Sequence, residues 1–241
     1  MNKSGTGHVE IIISFVLFIG FLAFILIAFN PLKGPPNPAI VNSVYNGLEE
    51  NLSVELNKVS INLDSTTGQS CFVLKDSNNL VSDLKCNNQN IIIRDKNNNK
   101  KYAEIVSGEI VSEITSENNF YTIYCSEEIE PIAGSVNLNL CEEYLGEEYE
   151  IGIIVSTNYW SLKKITQLEN SYLNNYPVIK KEFIRDTSDF GFIVWNLDSS
   201  KDFDVTQEIP RGLDVVSKTL PISIIDFEAN ITRHTITVMT W

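Results

Sequence analysis

The stretch Lys3–Pro38, KSGTGHVEIIISFVLFIGFLAFILIAFNPLKGPPNP, decides how the rest of the chain is read. From Ile11 to Phe29 it runs nineteen residues without a charge. As a helix this is about 28 Å long, close to the hydrocarbon thickness of a bilayer. A helix packed on a protein core keeps a polar stripe, and this one has none. The stretch therefore predicts a transmembrane helix over 11–29. Before it lies a short leader and pre-span segment, 1–10, and after it a Pro/Gly linker, 30–38. A cleaved secretory signal is the alternative, but its apolar run is usually ~7–15 residues and ends in a small-x-small site. Phe29-Asn30-Pro31-Leu32-Lys33 is not such a site. Lys3 and Lys33 flank the run on both sides, so basic residues do not orient it.

Glu10 lies directly against the apolar run, where a carboxylate is costly unless paired. The small-residue leader ending in Gly, the acid and the apolar helix together resemble the N-terminus of type IV pilins and archaeal pilin-like proteins. The likeness covers about the first thirty residues. It implies a prepilin-type peptidase cutting within Gly5, Thr6, Gly7 and His8. A cut after Gly5 makes Thr6 the first residue and Glu10 the fifth; a cut after Gly7 makes Glu10 the third. It also implies that Glu10 pairs with the terminal amine of a neighbouring subunit, and that other pilin-like subunits are partners. The other reading of Glu10 is a plain anchor residue at the membrane interface. Helices of the family run on from the span into the head. Here Pro31, Pro35, Pro36 and Pro38 end the helix near Asn30.

The chain has 241 residues and a formal net charge of −13. Beyond the linker, roughly two hundred residues suffice for one large domain or two small ones. The acidic balance argues against a nucleic-acid surface, which needs clustered Lys and Arg. The predicted fold class is α+β, with one transmembrane helix, an amphipathic helix and a mainly antiparallel β ectodomain over 39–241. Asn37 and Pro38 suit a helix start, and Val41, Val44, Leu48, Leu52, Leu56 and Val59 recur every three or four residues. This predicts a helix over about 38–60. Short β-like runs between Asn- and Asp-rich turns predict a β-rich region over 65–160. Leu162, Ile165, Leu168 and Tyr172 predict a helix over about 161–174, and strand texture resumes over 178–241.

Cys71, Cys86, Cys125 and Cys141 are the disulfide candidates. Of the three pairings, Cys71–Cys86 with Cys125–Cys141 is preferred, since each joins neighbouring strands; free buried thiols are the alternative. Disulfides would place the head outside the reducing cytoplasm. Asn51-Leu52-Ser53 and Asn230-Ile231-Thr232 are glycosylation sequons. Asp95, Asn97 and Asn99 begin like a calcium loop, but Lys100 and Val106 occupy its glycine and glutamate positions. A solvated hairpin turn is the better reading, so no metal is expected. Asp198, Asp202 and Asp204 read as a solvated loop. No cofactor or catalytic motif is present: His8 and His234 are the two histidines, and His234, in an alternating run, reads as an outward strand residue. The expectation is a non-enzymatic, pilin-like surface protein in the cell membrane, single-pass, its ectodomain extracytoplasmic, with a structural or binding role. The alternative is a membrane-tethered hydrolase using carboxylates; a cytoplasm-facing scaffold is a third possibility.

Overall fold

The computed structural model describes residues 6–29, 38–64, 70–75, 79–86, 89–114, 119–146, 148–184 and 187–241; in the first of these, side chains are described over 11–25. The first helix, α1, spans Thr6–Phe29. The expected single-pass span is corrected, and with it the localisation built on it. Among the described residues no helix is long and apolar enough to cross a membrane.

Helix α2 (Pro38–Leu52) buries Val41, Val44, Leu48 and Leu52 on one face. It stops well short of the expected end near residue 60. The next residue begins strand β1 (Ser53–Leu63). Leu52, Leu56 and Val59 happen to fall at helical spacing, but Val54 and Leu56 alternate on one side and Val59, Ile61 and Leu63 on the other. The β-branched residues of this run, Val54, Val59 and Ile61, fit a pleated sheet better than a helix.

The chain then runs through β2 (Cys71–Leu74), the short α3 (Leu80–Asp83), β3 (Asn90–Asp95), β4 (Lys100–Lys101), β5 (Ala103–Val106), β6 (Glu109–Glu113) and β7 (Phe120–Ser126). Strands β8 (Glu142–Tyr144), β9 (Tyr149–Ile151) and β10 (Val155–Ser161) follow, and β10 leads directly into α4 (Leu162–Phe183). Helix α4 outlasts the expected end at 174. Asn175 breaks it with φ −148° and ψ 51°, and a second segment opens at Tyr176-Pro177. Proline pre-set for a first helical turn starts that segment instead of ending the element. Ile179 and Phe183, four apart, are buried together, so the expected strand texture from 178 is corrected to helix. The last strands are β11 (Phe190–Trp195), β12 (Lys201–Val205), β13 (Val216–Ile225) and β14 (Ile231–Thr240).

Ten strands form one sheet in the order β12-β11-β14-β13-β10-β1-β7-β3-β4, with β9 also on β1; a second sheet runs β5-β6-β2-β8. Pairing is antiparallel except for β10–β13 and β2–β8. The expected mainly antiparallel α+β head is what the structure contains. Ser53 of β1 pairs with Trp160. Alternation from Ser53 carries Val59, Ile61 and Leu63 to the same face as Trp160. That face therefore bears two cores side by side. Helices α2 and α4 cover one, with Leu48, Ile165, Phe190, Phe192, Ile224 and Val238 at its heart. The small sheet covers the other, around Phe72, Ile61, Leu63, Tyr121 and Ile123. On the opposite face Val54, Leu56, Ile92 and Ile225 are covered by Ile129 and Ala229.

Three hairpins use one device, at 95–99, 196–200 and 226–230. In each, the first residue's N–H donates to the fifth residue's carbonyl, and its own carbonyl accepts from the fourth residue's N–H, at 2.8–3.1 Å. The fourth residues, Asn98, Ser199 and Ala229, have φ of 65°, 66° and 59°. This is the type I turn plus left-handed residue favoured in three-residue loops.

All four cysteines are paired, as Cys71–Cys141 and Cys86–Cys125, which corrects the preferred pairing. Parallel pairing of β2 with β8 sets Phe72 opposite Glu142, and so Cys71 beside Cys141, 4.6 Å apart at Cα. Antiparallel pairing of β3 with β7 sets Ile91 opposite Cys125, within reach of Cys86 at 5.8 Å.

Candidate assembly surface

Helix α1 presents apolar side chains around its whole described circumference. Ile11, Ile12, Ile13, Phe15, Val16, Leu17, Phe18, Ile19, Phe21, Leu22 and Phe24 are all exposed, from 40% at Leu22 to 69% at Leu17. Among the described residues, none of the three buried clusters includes a side chain of α1. Gly20 has nothing within 4 Å of the place a Cβ would take. Covering these side chains stabilises by ~1–2 kcal/mol each at this exposure, or roughly 10–20 kcal/mol together. A patch of that size marks a contact surface. No family model, curated protein or solved structure matches the chain.

Of the residues tied to processing and subunit pairing, Gly5 lies outside the described residues. Thr6, Gly7, His8 and Glu10 belong to the helical backbone of α1, and their side chains lie outside the described set. Asn51 sits exposed in the last turn of α2, its amide donating to the Gly47 carbonyl at 2.8 Å. Asn230 is occupied within the head. Its amide donates to Asp226 Oδ2 at 2.9 Å and its carbonyl accepts from Arg94 Nη2 at 2.8 Å. Arg94 also donates to the Glu228 carbonyl and to Asn98 Oδ1, and Lys100 pairs with Glu228. These contacts clasp the 95–99 hairpin to the 226–230 hairpin. A glycan on Asn230 would displace that clasp.

Asp198 lies in an exposed turn as expected, but the loop expected at Asp202 and Asp204 is corrected to strand β12, and Asp95, which opens the expected hairpin turn at the end of β3, is itself buried. Asp95 accepts from the backbone of Asn97 and Asn99 at 2.9 Å each. Burial pushes its carboxyl up, but these bonds, the Asn99 amide and nearby Lys101 win and hold it below the usual range. Asp198 binds Ser200, and Asp204 binds Lys201 and Thr206; both carboxyls are held down by those partners. Asp202 takes another direction. A register shift at Val194/Trp195 bends β12, and Asp202 Oδ2 stands 3.6 Å from His234 Nδ1. His234 is 8% exposed rather than outward, with Nε2 2.8 Å from Thr232 Oγ1. Hydroxyl, imidazole and carboxylate thus lie in a row, but the carboxylate is beyond hydrogen-bond length. Among the described residues, no group of three or more His, Cys, Asp or Glu gathers to hold a metal. Among the described residues, a groove of about 740 Å³ between α2 and the end of α4 has Ser43, Asn46, Glu50 and Glu182 as its polar lining.

Sequence reasoning missed Glu128. It is 2% exposed and accepts from the Ser161 hydroxyl and, at 2.8 Å, from the Lys163 N–H. Ser161 is the N-cap of α4, its Oγ accepting from the Lys164 N–H at 2.9 Å. Carboxylate and hydroxyl together satisfy the first orphan donors of the helix. Nothing local flags a capping acid thirty-three residues before its helix.

Proposed function

We propose that this chain is a pilin-like assembly subunit with a structural or binding role, α1 being the element through which copies or related subunits associate. The observation that carries the reading is the apolar, uncovered circumference of α1 between Ile11 and Ile25. A bundle of such helices shields every side of each, which a one-sided contact with the head does not. The resemblance of the first thirty residues supplies the rest of the reading. A prepilin-type peptidase trims the leader, and the freed amine of one subunit meets Glu10 of the next. The disulfide-tied head is then the part displayed, and two disulfides are compatible with an oxidising compartment.

A photocrosslinking residue at Phe18, compared in native cells with one at the exposed head residue Ser217, tests this. Crosslinks from position 18 to copies of the chain or to subunits with similar N-terminal helices are expected, with a mature N-terminus at Thr6 or His8. Equal yields from both positions, together with an N-terminus at Met1, overturn the reading.

A further inference from the structure

The four strands β12-β11-β14-β13 are covered by helices on one face only. Phe192, Val194, Ile236 and Val238 point into the core beneath α2 and α4. Alternation turns Ile193, Trp195, Thr235 and Thr237 to the other face. Among the described residues, the buried cluster on that face reaches these strands only at Ile225. At one end the chain itself crosses the face: a Cβ at Gly191 would lie 2.9 Å from the Val205 carbonyl and 3.0 Å from Thr206 Cγ2. Beyond that crossing the face is open. Thr219 is exposed, and Ile193, Trp195, Thr235 and Thr237 are partly exposed.

Register sets two rows across it. Lys201, Trp195 and Thr235 stand opposite one another in one row, and Asp204, Ile193, Thr237 and Thr219 in the next. Trp195 Nε1 donates diagonally to Thr237 Oγ1 at 3.1 Å, so the indole lies along the sheet instead of standing out from it. Thr237 Oγ1 is in turn 2.9 Å from Thr219 Oγ1. The indole brings its own proton and the two hydroxyls share one of theirs, so one hydroxyl proton remains for an outward bond. Lys201 and Asp204 pair with each other at 2.6 Å, and the next charge along β14, Arg233, lies a row beyond. The Lys201 ammonium stands 5.7 Å from the indole centroid, over the ring.

These parts fit one chemistry. A pyranose with mainly equatorial hydroxyls has an apolar, slightly positive C–H face and a rim of hydroxyls in the plane of the ring. The C–H face suits an indole, whose π-surface is negative, and already draws a positive group here. The hydroxyl rim meets the threonine hydroxyls beside it. Neighbouring strands lie about 4.8 Å apart, close to the length of one sugar unit along its chain, so polymer units and sheet rows stay in step. A chain of net charge −13 repels acidic polymers, and a neutral sugar asks no counter-charge of a face whose central charges are paired.

We propose that this face is a carbohydrate-binding surface for a neutral, glucose-type polysaccharide, with Trp195 as the stacking platform and Thr219 and Thr237 as hydroxyl partners. Lys201, half exposed, swings off the ring as the sugar arrives. The surface is separate from α1 and does not rest on it. In native gels the full chain in detergent should be retarded by hydroxyethylcellulose or dextran cast into the gel, and not by polyanionic alginate. Trp195→Ala should need at least tenfold more polymer for the same retardation. Thr219→Val, which keeps the shape and loses the hydroxyl, should need severalfold more. Thr219 is exposed and valine suits a strand, so this second variant does not put folding at stake. No retardation by either neutral polymer, equal retardation by alginate, or equal retardation of Thr219→Val and wild type overturns the proposal. Self-association that Trp195→Ala abolishes, without retardation by polymer, also overturns it and makes the face a contact between copies. Crosslinking from Phe18 reports α1 separately, so failure of one surface is distinguishable from failure of the other.

Discussion

Replacing Glu128 tests whether the start of α4 is held by a carboxylate from a distant segment. The wild-type side chain takes two hydrogen bonds, from the Ser161 hydroxyl and the Lys163 N–H, while buried. Each bond to a charged group contributes about 1.5–3 kcal/mol, and the helix N-terminus adds about 0.3–1 kcal/mol. Desolvation of the carboxylate offsets part of this. Glu128→Ala leaves the buried Ser161 hydroxyl and the Lys163 N–H without this acceptor, and we expect a loss of about 2–4 kcal/mol. Glu128→Gln keeps the shape and one acceptor, and should lose about 1–2 kcal/mol. Ser161→Ala removes the cap itself, at about 1–2 kcal/mol, plus its bond to Glu128. The two alanine changes share that bond, so their sum should exceed the double variant by about 1–3 kcal/mol. Urea unfolding of the full chain with disulfides intact measures all four. A Glu128→Ala cost below about 1 kcal/mol, or strict additivity with Ser161→Ala, would refute the reasoning.

Two further outcomes concern the hairpins and the acid limb. Ser199 holds φ 66° in an exposed turn, so Ser199→Gly should raise stability by about 0.5–1 kcal/mol, measured as a higher urea midpoint. The carboxyls of Asp95, Asp198, Asp204, Glu55 and Glu228 are all held below their ordinary values. Their contribution is present above the unfolded carboxylate range of about 4 and is lost as the pH falls through their folded values. Thermal unfolding should therefore shift to lower temperature below about pH 4, and Asp95→Asn should flatten that dependence. An unchanged slope in the variant removes Asp95 from the account.

Much of the fold was legible because local pattern and tertiary environment agree. Val41, Val44 and Leu48 read as helix and are helix, and the Asn-rich run after Asp95 reads as a turn and is one. Errors arose where a local pattern had two solutions. Leu52, Leu56 and Val59 satisfy helical spacing by coincidence, and Tyr176-Pro177 can stop a helix or begin its next segment. His234 falls in step with Ile236 and Val238, so the alternation of β14 turns it inward; reading it as outward followed its polarity instead of its position. The disulfide pairing was illegible for a related reason: a parallel contact between β2 and β8 brings together cysteines seventy residues apart. The apolar run of α1 states that the helix must be covered, and leaves open by what.

Because α2 passes into β1 without an intervening residue, the head has a defined mechanical axis. A pull on α1 is delivered through α2 to the first residue of β1, along the strand. On its two sides β1 is bonded to β10 and β9 and to β7, all antiparallel to it. Tension along the strand loads those ladders in shear, many bonds at once, instead of peeling them one by one. Lys164 Nζ, donating to the Ser53 carbonyl at 2.9 Å, ties the point of entry to α4. The strand that follows α2 directly, with side chains in the clusters on both faces of the sheet, is thus also the one that would carry a load from the N-terminal helix into the head.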